Sequence, residues 1–135
     1  HTWHDFHYKD FATGGHDYSG NRLPSVPPQT VVTGADILLR PGFYTNLTFT
    51  YADRIALNDG NTAYAGSYNL LGARVGYRKA LTSRWKLDIY AGGDNLLNTR
   101  YSLGNDINAA APPARYYNAA PTVNYFGGVS VNYVL

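Results

Sequence analysis

The feature that most limits what this chain can fold into is a period-two alternation of apolar and polar side chains that keeps returning along it. In FYTNLTFTYADR, residues 43–54, Phe43, Leu47, Phe49 and Tyr51 share one face with Thr45, while Tyr44, Asn46, Thr48, Thr50 and Arg54 share the other. Successive side chains of a strand point to opposite faces, so the segment reads as a strand with one apolar and one polar side. Across 67–79, Leu71, Ala73, Val75 and Tyr77 oppose Gly72, Arg74, Gly76 and Arg78. Across 85–93, Trp85, Leu87, Ile89 and Ala91 oppose Lys86, Asp88, Tyr90 and Gly92. At the end of the chain Tyr125, Val129, Val131, Tyr133 and Leu135 oppose Asn124, Gly128, Ser130 and Asn132. Residues 2–11 and 29–39 alternate more weakly. The pattern predicts about six strands, several of about 10–12 residues, where soluble strands centre on about 5–6.

The intervals between these strands run long, short, long, short, long. The short ones are Arg40-Pro41-Gly42 and residues 80–84; the long ones are rich in Gly, Pro, Asn and Tyr. A meander built this way puts its tight turns at one end and its loops at the other, as transmembrane barrels of the outer membrane do. It also places Leu135 at the tight-turn end. Outward residues beside the tight turns are Phe43, Tyr77, Trp85 and Tyr133, all aromatic, with Tyr51 and Tyr125 toward the other rim. From Phe43 to Tyr51, at about 3.3 Å per residue and about 40° of tilt, a strand covers roughly 20 Å of membrane normal, near the apolar band of about 25 Å. Tyr and Trp favour both membrane boundaries because an apolar ring ends in a polar tip.

Composition agrees. Tyr occurs 13 times and Gly 14 times in 135 residues, a balance suited to strands and hostile to long helices. Cysteine is absent, which removes disulfides and thiolate metal sites. With 11 basic and 9 acidic residues the net charge is +2, and no basic block tracks a phosphate backbone. No run is long and apolar enough for a membrane helix, but barrel strands need none. The serines, among them Ser67, Ser83 and Ser102, lie in no nucleophile-elbow pattern, so no enzyme is expected.

A sheet in lipid must close, because an unpaired edge amide has no water to satisfy it, and the smallest such barrels use about eight strands. Six strands, in a chain with no initiating Met, are therefore expected to be the C-terminal piece of a larger barrel. The stretches GNRLPSVPP (20–28), YADRIALNDGNTAYAGSYNLLGARVGYR (51–78), GGDNLLNTRY (92–101) and RYYNAAPTVNYFGGVSVNYVL (115–135) carry a resemblance to the last part of TonB-dependent outer-membrane receptors of the ferric-siderophore type. The resemblance implies a plugged barrel of roughly 22 strands, of which residues 1–135 are the C-terminal part. It places an N-terminal plug and a TonB-contacting segment upstream, and it implies the bacterial outer membrane and uptake of an iron chelate without any cofactor. Expected partners are the remaining strands and plug, the TonB system, membrane lipid and the chelate. The family's chains usually end in an aromatic residue; here Tyr133 precedes Val134-Leu135. The competing readings are a secreted soluble β-sandwich that binds carbohydrate or protein, and a smaller outer-membrane barrel.

Candidate ligand contacts are Tyr64 in the loop 55–66 and Arg115, Tyr116 and Tyr117 in the loop 102–121. Phenol rings and a guanidinium suit a bulky anionic chelate through stacking and charge, and they equally suit loop packing. Arg74, Arg78, Lys86 and Asp88 face the expected lumen, where they could contact an anionic ligand or the plug, though a wet, polar barrel interior accounts for them. His1, His4 and His7 do not form a metal site on a strand, since His4 points away from the others and His1 and His7 lie about 20 Å apart. In AGGDNLLNTRY (91–101), Asp94, Asn95 and Asn98 lack the ligand offsets and closing acid of a calcium loop. They read instead as a strand-to-loop transition in which amides hold backbone groups.

Overall fold

A computed structural model describes residues 1–110 and 112–134. Every regular element in them is a strand. In chain order these are β1 Thr2–Trp3, β2 Ala12–Thr13, β3 His16–Asp17, β4 Gln29–Leu39, β5 Phe43–Ala52, β6 Ile55–Ala56, β7 Tyr64–Ala65, β8 Tyr68–Ala80, β9 Trp85–Asp94, β10 Ser102–Asn105, β11 Tyr117–Ala119 and β12 Asn124–Tyr133. One six-stranded sheet has the order β1-β4-β5-β8-β9-β12, and β2-β3, β6-β7 and β10-β11 are separate hairpins. The expected all-β, antiparallel up-and-down meander of about six strands is the fold observed. The intervals 40–42 and 81–84 are tight, and each of the three long intervals carries one of the small hairpins. Leu135, placed by the sequence at the tight-turn end, lies outside the described residues.

Two compact units make up the chain. The first contains residues 32–50, 70–99 and 122–135. Within it the register of β8, β9 and β12 sorts the faces as the alternation requires. Val75 pairs with Ala91, Tyr77 with Ile89, Val129 with Ile89 and Tyr133 with Trp85 on one face. Arg74 pairs with Gly92, Arg78 with Asp88, Gly128 with Tyr90 and Ser130 with Asp88 on the other. The apolar face is the open one: Val129 is 65% exposed, whereas Tyr44 on the polar face is 6% exposed. A water-soluble sheet would bury the first set, so the open apolar side is the one the alternation predicts for lipid. The predicted aromatic belt forms two ring pairs at the tight-turn end, Phe43–Tyr77 at 4.7 Å and Trp85–Tyr133 at 4.9 Å between centroids.

The second unit contains residues 1–31, 51–69 and 100–121. Its core is small and centres on Leu57, which is fully buried, with Ala52, Ala56 and Ala65 nearly so. The first strand corrects the sequence reading. Residues 2–11 were expected to be extended, but β1 is Thr2–Trp3 only, paired with Thr30 and Gln29. The cause lies in the partner: past Gln29 stand Pro28, Pro27 and Pro24, which have no N–H to continue a ladder. Beyond the prolines pairing resumes only as a single antiparallel bridge, His7 opposite Arg22, with Leu23 N donating to Phe6 O at 3.0 Å and Tyr8 N to Asn21 O at 2.9 Å, before the chain turns into the β2-β3 hairpin.

Candidate functional site

Within the unit holding the three long intervals, the β6-β7 and β10-β11 hairpins bring two of the four candidate residues together. The Tyr117 hydroxyl donates to the backbone oxygen of Tyr64 at 3.0 Å. The Arg54 guanidinium sits 4.9 Å above the Tyr64 ring, a cation–π contact that the sequence reading did not single out. Tyr116 and Arg115 precede β11; the backbone oxygen of Tyr116 accepts from Asp106 N at 3.0 Å, and Arg115 is exposed. Arg115 and Tyr116 are thus tied to the same hairpin as Tyr117 without joining the Tyr64–Tyr117 contact.

Two concavities flank this contact. One of about 240 Å³ is lined by Ser25, Tyr68, Ser102, Asn105 and Tyr117. The Oδ1 of Asn105 is buried there and has no hydrogen-bond partner among the described residues. The other, of about 200 Å³, is lined by Trp3, Arg22, Gln29, Asp53, Arg54 and Tyr64. Together they offer phenol, hydroxyl, amide, guanidinium and carboxylate groups, a set able to hydrogen-bond and stack on a ligand.

The intervals are held together by polar bonds around Asp59. Its Oδ1 accepts from the Tyr8 hydroxyl at 2.6 Å and its Oδ2 from Asn108 Nδ2 at 2.9 Å. The backbone completes the knot: Asp59 N donates to Asn108 Oδ1 at 3.0 Å, and Asn21 Nδ2 donates to Asp59 O at 2.8 Å. The bond to the carboxylate holds the Tyr8 proton and pushes its pKa up to about 12. This hub was missed because its members lie far apart in sequence; the only local signal is the turn-forming Asn58-Asp59-Gly60.

The polar face of the sheet forms a second ordered cluster. Tyr44 donates its hydroxyl to Asp88 Oδ1 at 2.8 Å, and Arg78 Nη2 donates to Asp88 Oδ2 at 2.8 Å. Arg74 lies 3.7 Å from the Tyr90 ring centroid, so two of the predicted lumen cations are engaged with neighbours on the wall. The rings need room: a Cβ on Gly76 would lie 2.3 Å from Tyr44 Cζ, and one on Gly128 would lie 2.5 Å from the Tyr90 hydroxyl. Beyond β9, Asn95 closes the loop that the sequence singled out. Its Nδ2 donates to Thr99 O at 2.8 Å, and its Oδ1 accepts from Thr99 N at 2.9 Å. Asn95 and Asn98 adopt φ of 49° and 51°, left-handed conformations that Asn tolerates better than other side-chain-bearing residues.

The profile of a family described as "TonB dependent receptor-like, beta-barrel" matches residues 2–96. Among solved structures, the siderophore receptor PiuA from Acinetobacter baumannii superposes with a TM-score of 0.68 at 19% identity, covering 93% of this chain and 17% of that one. The ferric yersiniabactin uptake receptor FyuA from Yersinia pestis gives 0.55 at 22% identity, covering 87% and 18%. At these identities the likeness is one of fold, and the chain spans less than a fifth of either receptor's length. The match over most of the chain, together with a two-faced antiparallel sheet, places this protein in the TonB-dependent receptor family, as part of its β-barrel.

Proposed function

We propose that the receptor to which this sheet belongs imports a ferric siderophore across the bacterial outer membrane, and that residues 1–135 are the C-terminal part of its barrel. The observation that carries the proposal is the Tyr64–Tyr117 contact with Arg54 stacked upon it, set between two concavities in the long-interval unit. Ferric siderophores are bulky, and many are anionic with aromatic metal-binding groups, which phenols and guanidinium groups can stack upon and neutralise. Tyr64, Tyr117, Arg115 and Tyr116 are the proposed contacts. The neighbouring receptors named for siderophores support this substrate class by analogy of fold. Transport then requires the rest of the barrel, a plug upstream and energy coupling through TonB; the iron complex is cargo, and the protein holds no cofactor of its own.

The test is growth and radio-iron uptake by iron-starved cells expressing the intact receptor, supplied in turn with catecholate, hydroxamate, phenolate and carboxylate chelates. Uptake of one chelate class that is lost on deleting residues 102–121 supports the proposal. Uptake of none of them, with a correctly assembled receptor at the surface, refutes the substrate class and directs attention to cobalamin, haem or sugars.

A further inference from the structure

The apolar face carries a groove of about 600 Å³ at its tight-turn end, lined by Leu39, Phe43, Val75, Tyr77, Ile89 and Ala91. Beside it the rim is cationic. Lys79 is exposed and pairs in register with Leu87, which puts it on the same face as Tyr77 and Ile89. Arg84 reaches that face through Nη1, which donates to the Tyr133 hydroxyl at 3.3 Å, and Tyr133 in turn packs on Trp85. Arg40 stands in the adjoining turn between Leu39 and Phe43. Among the described residues no carboxylate pairs with Lys79, Arg84 or Arg40. The acid at this level, Asp88, is on the opposite face and bonded to Arg78 and Tyr44.

Resting on the reading of this face as lipid-facing, we infer that the rim is a binding site for an anionic phospholipid. Lys79 and Arg84 hold its phosphate, and an acyl chain lies in the groove against Phe43, Tyr77 and Ile89. Charge complementarity selects the headgroup: among the described residues the rim cations have no carboxylate partner, and none stands there to receive the ammonium of a zwitterionic lipid. The groove selects a lipid over a soluble phosphate, since an apolar concavity beside the cations has use only for a ligand with a tail.

The test uses the intact receptor, delipidated in detergent micelles and titrated with phosphatidylglycerol or phosphatidylcholine of matched chains, with bound lipid counted by native mass spectrometry. The expected result is tighter binding of phosphatidylglycerol, weakened about fivefold per cation removed in Lys79→Gln and Arg84→Gln, with phosphatidylcholine unaffected. Lys79→Arg with Arg84→Lys, which keeps the charge, retains the preference. Equal binding of both lipids overturns the proposal, as does a preference that survives the double glutamine variant or displacement of phosphatidylglycerol by soluble glycerol phosphate. A separate measurement isolates the underlying reading: brominated phosphatidylcholine should quench the fluorescence that Trp85→Phe removes. Quenching without headgroup preference overturns the lipid site alone, and absence of quenching overturns the lipid-facing assignment with it.

Discussion

Replacing Asn95 tests whether the GGDNLLNTRY loop is held by one side chain. Its amide makes both hydrogen bonds to Thr99, at 2.8 and 2.9 Å, with the residue only 6% exposed and at φ 49°. Asn95→Gly removes both bonds while leaving the backbone angle free of strain. At about 0.5–1.5 kcal/mol per bond this costs about 1–3 kcal/mol. Asn95→Ala loses the same bonds and adds a Cβ in the left-handed region, roughly 1 kcal/mol more. Asn95→Asp keeps the acceptor for Thr99 N but sets a carboxylate oxygen against Thr99 O, so it should fall between wild type and Gly or below Gly. Hydrogen–deuterium exchange of the intact receptor in micelles reads the effect at the Thr99 amide, and urea unfolding gives the global cost. The expected order of protection is Asn above Gly above Ala. An Ala variant as protected as the wild type, or Gly less protected than Ala, would refute the reasoning.

Gly76→Ala should displace the Tyr44 ring and cost about 1–3 kcal/mol as overpacking, seen as a lower temperature for loss of the compact band when samples heated to graded temperatures are run on SDS gels; Gly66→Ala, with open space around it, is the control. Because Tyr8 keeps its proton in the folded state to a pKa near 12 against an ordinary 10, its contribution to stability is complete below pH 10 and is lost as pH rises from 10 to 12. Exchange protection around residues 58–61 should therefore fall across that window, and Tyr8→Phe should flatten the fall. On the proposed chelate contact, Tyr117→Phe removes the bond to Tyr64 O but keeps the ring, so it should weaken affinity less than Tyr117→Ala, for which roughly a tenfold loss is expected in a binding titration.

The strands were legible because lipid on one side and a polar lumen on the other enforce strict alternation, and Phe43–Ala52 or Trp85–Asp94 can satisfy it in one register only. The aromatic belt followed from the same parity, since Phe43, Tyr77, Trp85 and Tyr133 each stand beside a tight turn. The first strand was misread because whether a strand pairs depends on its partner, and Pro27 and Pro28 lie some two dozen residues from Trp3. The Asp59 hub and the Tyr64–Tyr117 contact were invisible for a related reason. Side chains that meet through irregular segments 38 to 53 residues apart leave no periodic trace in the sequence. Asn95 was the exception, since a bond spanning four residues is local enough for residue type to reveal.

The placement of Tyr44 over Gly76 and Tyr90 over Gly128 has a geometric consequence for the polar side of the wall. An aromatic side chain standing upright from the lumen wall would narrow the passage by the length of its ring. Laid down over a neighbouring strand that has no side chain of its own, each ring is recessed into the wall. Bulk that stiffens the sheet is thereby kept close to the wall. A larger residue at either glycine would lift the ring off the wall.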